Sequence, residues 1–258
     1  MKLWADFHTH TRYSHGTGTI KENVEAALKK GLSAVGISEH GPANIGIGTR
    51  LEDFARMREE IEKIKSEYTD IKILLGCEAN VISQDGELDI PEKILNELDY
   101  VMAGLHPLVW PSSLRDGYGL LIENMMARHS EIIKGKVLER NTTALIKAIQ
   151  SYKIDVITHP GLHLAVDTAR LAGAAAKFGT ALEINAGHGF MTEEYVRTAR
   201  AYGVKFAIGS DAHQPRDVGN LTRGIEIARR AGLTEKDIIN ATPVAGFARP
   251  YGEPTKST

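Results

Sequence analysis

The stretch Leu3-Trp4-Ala5-Asp6-Phe7-His8-Thr9-His10 is a short apolar run that ends in two histidines, with His15 just beyond. The same grammar returns along the chain. Ala34–Ser38 leads into His40, Ile71–Gly76 into Glu78 and Val101–Leu105 into His106. Val156–Thr158 leads into His159, and Phe206–Ser210 into Asp211 and His213. Scattered histidines would not recur once per strand-like segment with helix-like sequence between. In a β/α barrel the carboxyl ends of the strands carry the active site, so the pattern predicts a metal hydrolase in such a barrel.

Strands are predicted at about 3–8, 33–38, 72–77, 99–104, 154–158, 180–185 and 204–209. Helices are predicted at about 20–30, 51–67, 91–97, 139–151, 164–178, 192–202 and 217–231. Gly31, Gly179 and Gly203 each stand between a helix and a strand, as helix-ending glycines do. Strand–helix alternation implies parallel strands with right-handed crossovers. An open doubly wound sheet would alternate in the same way. It would leave its edge strands too far apart for ligands from six strands to meet, so a distorted TIM-like (β/α)7 barrel is the α/β fold expected. The expectation is one domain over 1–258, with C-terminal helical pieces near 234–240 and 243–248 closing one end.

One connection is out of scale. Roughly thirty residues separate His106 from the helix expected at 139, where βα loops ordinarily have a few. Within an insertion at about 112–137, residues 120–137 read as helical, with apolar residues at 121, 122, 125, 126, 132 and 133. Residues 112–117 read as a mobile turn. Because it leaves the rim beside His106, the insertion is a lid, a subunit contact or a flap without chemistry, and a lid would favour small substrates over polymers.

The chain has 258 residues, 42% hydrophobic and 25% charged, with a net charge of −2. No global field favours nucleic acid or an anionic membrane, and no apolar stretch approaches a membrane span. Cys77 is the single cysteine, which fits a reducing cytoplasm. By strand alternation Cys77 faces away from Glu78, as a small buried hydrophobe. No signal-peptide apolar region precedes the first histidines.

In a strand, Asp6, His8 and His10 would share one face, and two imidazoles on one face are a ready pair of ligands for a borderline divalent ion. Seven histidines and two carboxylates exceed the needs of one ion, and a carboxylate such as Glu78 can bridge two. Three divalent ions would place about +6 against −2 from Glu78 and Asp211, a strong attraction for a phosphate dianion. Such ions acidify water and neutralise a leaving alkoxide.

Six segments, Asp6-Phe7-His8-Thr9-His10, Ser38-Glu39-His40-Gly41-Pro42, Gly76-Cys77-Glu78-Ala79-Asn80, Thr158-His159-Pro160-Gly161, Leu182-Glu183-Ile184-Asn185 and Gly209-Ser210-Asp211-Ala212-His213, together resemble the PHP (polymerase and histidinol phosphatase) family, and in particular its small stand-alone bacterial phosphatases. The resemblance implies a trinuclear site of zinc, manganese or iron. One ion would be held by His8, His10, Glu78 and Asp211, a second by Glu78, His106 and His159, and a third by His15, His40 and His213. It implies a phosphomonoesterase acting on a small phosphorylated metabolite, with histidinol phosphate as one candidate, through a metal-bridging hydroxide, and with Glu78, Asp211 and His213 catalytic. The alternatives are a PHP-type nuclease, disfavoured by the lack of a basic surplus, and an amidohydrolase-type C–N hydrolase, which commonly bridges its metals with a modified lysine.

Arg50 follows the glycine-rich Gly46-Ile47-Gly48-Thr49 and could reach a phosphate, although a solvated loop arginine would look the same. Arg12 lies between two ligands, and Arg216 is a weaker candidate of the same kind. His163 and His188 follow the fifth and sixth strands and are candidates for substrate contact, or simply rim residues. Asn185 ends the sixth strand and is placed to orient a ligand.

Overall fold

The computed structural model describes residues 1–241. Seven strands form one all-parallel sheet in sequential order: β1 Ala5–Asp6, β2 Ala34–His40, β3 Lys72–Asn80, β4 Met102–Gly104, β5 Val156–Ile157, β6 Ala181–Asn185 and β7 Phe206–Gly209. The main helices are α1 Ile20–Lys29, α2 Asp53–Lys65, α3 Glu92–Leu95, α4 Glu131–Ser151, α5 Thr168–Phe178, α6 Glu193–Arg200 and α7 Thr222–Arg230. Their starts follow local chemistry. Thr19 and Glu22 close a capping box on α1, and the Asp167 side chain accepts Arg170 N–H at 3.0 Å ahead of α5. Gly179 ends α5 at φ +74°, where a side chain would be strained.

The sheet curls into a nearly closed, TIM-like barrel whose seam lies between β1 and β7. At the ligand-bearing end the seam closes directly, with Thr9 and Ala212 bridged in parallel and His10 N–H donating to Ala212 O at 2.8 Å. At the other end Asn240 fills it. Its Nδ2 donates to Ala5 O and Ile208 O, each at 2.8 Å, and its Oδ1 accepts from Ile208 N at 3.0 Å. The helical piece predicted at 234–240 is therefore a single turn, Glu235–Asp237, followed by chain that bonds to β7 through Ile239 N and Phe206 O. The piece predicted near 243–248 lies outside the described residues.

The lower interior is one apolar cluster containing Ala5, Phe7, Ala34, Leu74, Tyr100, Met102, Val156, Ala181 and Ala207, so every strand or its immediate flank contributes. Tyr100 spans it and donates to Phe7 O at 2.6 Å. A Cβ on Gly36 or Gly76 would come within 2.2–2.3 Å of the Tyr100 phenol, so those two glycines make room for the ring. Phe7 inside the barrel breaks the single face expected for Asp6, His8 and His10. The β1 ladder stops at Asp6, whose carboxylate is instead taken by the backbone N–H groups of Ser210 (3.1 Å) and Gly219 (2.9 Å).

The helix predicted over 120–137 does not run through. Ser130 is extended (φ −150°, ψ 118°) and caps α4, which therefore begins eight residues before the predicted 139. The predicted mobile turn at 112–117 is tied down, with Ser112 N–H donating to Ile82 O at 3.0 Å and the Asp116 carboxylate accepting Gln84 N–H at 2.8 Å. The rest packs on α4, where Asn124 and Asn141 exchange amide hydrogen bonds at 3.1 and 2.9 Å and Arg140 donates to Gly119 O at 3.0 Å.

Candidate metal centre

Strand ends deliver the side chains. His40 is the last residue of β2 and pairs in register with Glu78 of β3. His106 and His159 lie two residues beyond β4 and β5, and Asp211 and His213 follow β7. His8 and His10 flank the seam residue Thr9, which is held by Thr9 Oγ1 donating to Gly36 O at 2.7 Å. His159 (φ 26°) and Asp211 (φ 55°) adopt left-handed backbone, a conformation that costs non-glycine residues energy and gathers at functional sites.

Glu78 is fully buried and central. Its Oε1 faces His159 Nε2 at 3.0 Å and His106 Nε2 at 3.2 Å. Its Oε2 faces His40 Nδ1 at 2.8 Å, His8 Nε2 at 3.4 Å and His10 Nε2 at 3.7 Å. Asp211 Oδ1 lies 3.3 Å from His10 Nε2 and 3.4 Å from His8 Nε2. Three groups each bring their donor atoms within 4.8 Å of one another: His8, His10 and Asp211; His40, Glu78 and His106; and His10, His40 and His213. These groups overlap the sets implied by the family resemblance but divide the residues differently. His10 joins His40 and His213, while the His15 ring stands 4.0 Å from that of His213 and 4.9 Å from that of His40.

The residues present fit divalent ions. His8 Nε2, both ring nitrogens of His10, His40 Nδ1, His213 Nε2 and Glu78 Oε2 are buried without a hydrogen-bond partner. Each such atom costs about 1–3 kcal/mol, and coordination satisfies all of them together. The opposite ring atoms are held. His8 Nδ1 is 2.6 Å from Glu183 Oε1, His106 Nδ1 is 2.7 Å from Asn80 Oδ1 and His213 Nδ1 is 2.8 Å from Asp211 O, which leaves each Nε2 free to ligate.

Charge is arranged to match. Burial and the neighbouring His40 push the His10 pKa well below its ordinary value. Burial, with His213 and His40, lowers that of His15 to about 4. Burial would raise Glu78, but His8, His106 and His40 hold it well below the carboxylate range. Burial opposes a charge on His8, yet Glu183, Asp211 and Glu78 override it and raise its pKa well above 6.5. Glu39 is pushed up to about 7 by burial, against hydrogen bonds from Ser14 and Thr11.

Above the centre opens a cavity of about 210 Å3 whose lining includes His163 and His188. His188 Nε2 lies 3.4 Å from Asp211 Oδ2, and Asn185 Nδ2 donates to the same oxygen at 3.0 Å. Arg12 and Arg50 are exposed and do not line the cavity, Arg50 being paired with Glu52 two residues along its own loop. None of residues 112–137 lines it either, so nothing in this arrangement makes the insertion a lid. Cys77 is buried in the packing outside the strands. The residue missed by sequence reasoning is Glu183 of β6, the one strand assigned no ligand. A carboxylate in a strand buried along its whole length was the available signal. Asn80, two residues after Glu78, carried the same kind of signal.

Residues 6–193 match the family model of the PHP domain. The chain is 34% identical over 251 residues to a probable phosphatase of Thermoanaerobacter sp. (strain X514), covering 93% of this chain and 91% of that protein. It is 32% identical over 257 residues to a probable phosphatase of Shewanella frigidimarina, covering 95% and 92%. Among solved structures it resembles the histidinol phosphate phosphatase of Lactococcus lactis, crystallised with zinc, L-histidinol and phosphate. The TM-score is 0.61 at 16% identity, over 90% of this chain and 95% of that one, a likeness of fold.

Proposed function

The chain belongs to the PHP domain family and is a metal-dependent phosphoesterase of the phosphatase type; from that premise we propose that it is a phosphomonoesterase with a three-ion centre, acting on a small phosphorylated metabolite. The observation that carries this reading is the convergence of unpartnered, buried imidazole and carboxylate atoms around Glu78. Divalent ions bound there would acidify a water and neutralise phosphate and leaving-group charge. Zinc, manganese or iron suits the mixed nitrogen and oxygen donors.

The ligands in this proposal are His8, His10, His15, His40, Glu78, His106, His159, Asp211 and His213. Glu78 would serve as the bridge between ions, because its two oxygens face different histidines. Asp211 anchors the β7 side and orients His213 through its carbonyl. Phosphate binding falls to His163 and His188 at the mouth, whose small volume suits a small substrate. We take 1–258 as one PHP-type domain with an insertion at about 112–137. Among the described residues no helix is long and apolar enough to cross a membrane, and the single buried thiol supports a cytoplasmic setting.

The test is phosphate release by metal-analysed protein from phosphomonoesters and from bis(p-nitrophenyl) phosphate, with and without chelator. Monoester turnover that follows more than two bound equivalents supports the reading. Full activity at one equivalent, or a preference for the diester, overturns it.

A further inference from the structure

One wall of the cavity is made without any ligand residue. The turn after β2 and the segment after β4 clasp each other there. Ile45 N–H donates to Leu108 O at 3.0 Å, Trp110 N–H donates to Ala43 O at 2.8 Å, and Asn44 and Val109 form an isolated antiparallel bridge. The clasp presents Asn44, Ile47, Pro107 and Leu108 to the cavity, and Leu162 lies in the same lining. Among the described residues no lysine or arginine lines the cavity, and Asp211 is the one carboxylate in its lining, already engaged with His8, His10 and Asn185.

Asn44 is the exception in this apolar wall. Its backbone is fixed, with N–H donating to Gly41 O at 3.2 Å and C=O accepting from Gly48 N at 2.9 Å. The residue is 5% exposed, and its Oδ1 is buried with no hydrogen-bond partner. An unpaired acceptor is thus held within the wall that lines the cavity.

We propose that this wall reads the organic part of the substrate, selecting an uncharged, largely apolar alcohol that carries one hydrogen-bond donor for Asn44. The assignment rests on the phosphomonoesterase reading. An amino-alcohol phosphate would bring its ammonium against the apolar side chains of Ile47, Leu108 and Leu162 and toward imidazoles, with no free carboxylate among the described lining residues to receive it. A neutral body instead buries apolar surface there. An analogue lacking the donor leaves Asn44 unpaired, which is how a polar group in a pocket discriminates.

Three probes share one reacting alcohol and differ only at the remote position: benzyl phosphate, 4-(hydroxymethyl)benzyl phosphate and 4-(aminomethyl)benzyl phosphate. On metal-loaded protein, kcat/KM should fall in the order hydroxymethyl, unsubstituted, aminomethyl, with roughly tenfold or more between the first and last. Leu108→Asp should bring the aminomethyl compound level with or above benzyl phosphate. Asn44→Leu, or Asn44→Ser if the leucine variant does not fold, should erase the hydroxymethyl advantage. Metal content and thermal midpoint report the integrity of each variant. An aminomethyl probe that matches the neutral ones on the unsubstituted protein overturns the assignment, as does selectivity that neither substitution moves. Absence of phosphate release from all three overturns the phosphatase reading, and the wall assignment falls with it.

Discussion

Along the barrel axis the same strands build two interiors of opposite character. Below, Ala5, Phe7, Leu74, Tyr100, Met102 and Val156 are at most 2% exposed and fill the space with apolar contact. Above, Glu78, His8 and His10 are as deeply buried but leave ring nitrogens and a carboxylate oxygen without partners. The lower half is complete from the chain alone, whereas the upper half would be completed by ions. Stability and chemistry are therefore separable on one scaffold, and each half should respond to a different perturbation.

Glu78→Gln should have the largest effect. It keeps the shape and removes the charge shared by both groups of histidines. Bound metal should fall below two equivalents and phosphatase activity by about 10³-fold, the scale of losing an electrostatic group at the reacting centre. His15→Ala should keep a two-ion core with residual activity. Equal and complete metal loss in both variants would break this ranking.

In the lower half, Tyr100→Ala should cost about 3–5 kcal/mol of stability, read as the denaturant midpoint of both loaded and chelated protein. Tyr100→Phe removes the hydroxyl that donates to Phe7 O and should cost about 1 kcal/mol. If Tyr100→Ala lost its metal while keeping its folding midpoint, the two halves would not be separable.

Glu183→Gln tests the border between the halves. The carboxylate holds His8 Nδ1 and the His159 backbone N–H, so metal affinity should weaken about 10–100-fold with the fold retained. Unchanged affinity would make Glu183 a packing residue only.

The smallest expected effect is on protons. The His8 pKa is raised above 6.5 in the metal-free centre, so at neutral pH the ring holds a proton that must leave before Nε2 can ligate. Metal uptake at pH 7 should release about one proton or more per chain, and apparent affinity should rise with pH until the raised pKa is passed. Calorimetric titration in buffers of different ionisation heat measures this, and zero release would contradict the raised pKa of His8.

Much of this molecule could be read locally. An apolar run followed closely by a candidate ligand marks both a strand and the end of it that faces the site, and this holds for His8, His40, Glu78, His106, His159 and Asp211 alike. Helix starts such as Thr19 with Glu22 are equally local, since cap and partner lie three residues apart. Legibility failed where a residue acts across the barrel. Glu183 meets His8 over 175 residues of sequence, and no local pattern marks that pairing. Ser130, an ordinary polar residue in a helical-looking stretch, becomes a break because its extended backbone redirects the chain into α4.

The order of strands and helices and the side chains offered as metal ligands could be read from the sequence itself, because periodicity and punctuation act over a few residues. Tertiary structure alone decided how the barrel closes, through Asn240 reaching Ala5 across 235 residues. It also decided which histidines face each oxygen of Glu78, and which residues line the cavity. Those outcomes depend on the curvature of the whole sheet, which brings strand ends together at distances that no stretch of chain encodes by itself.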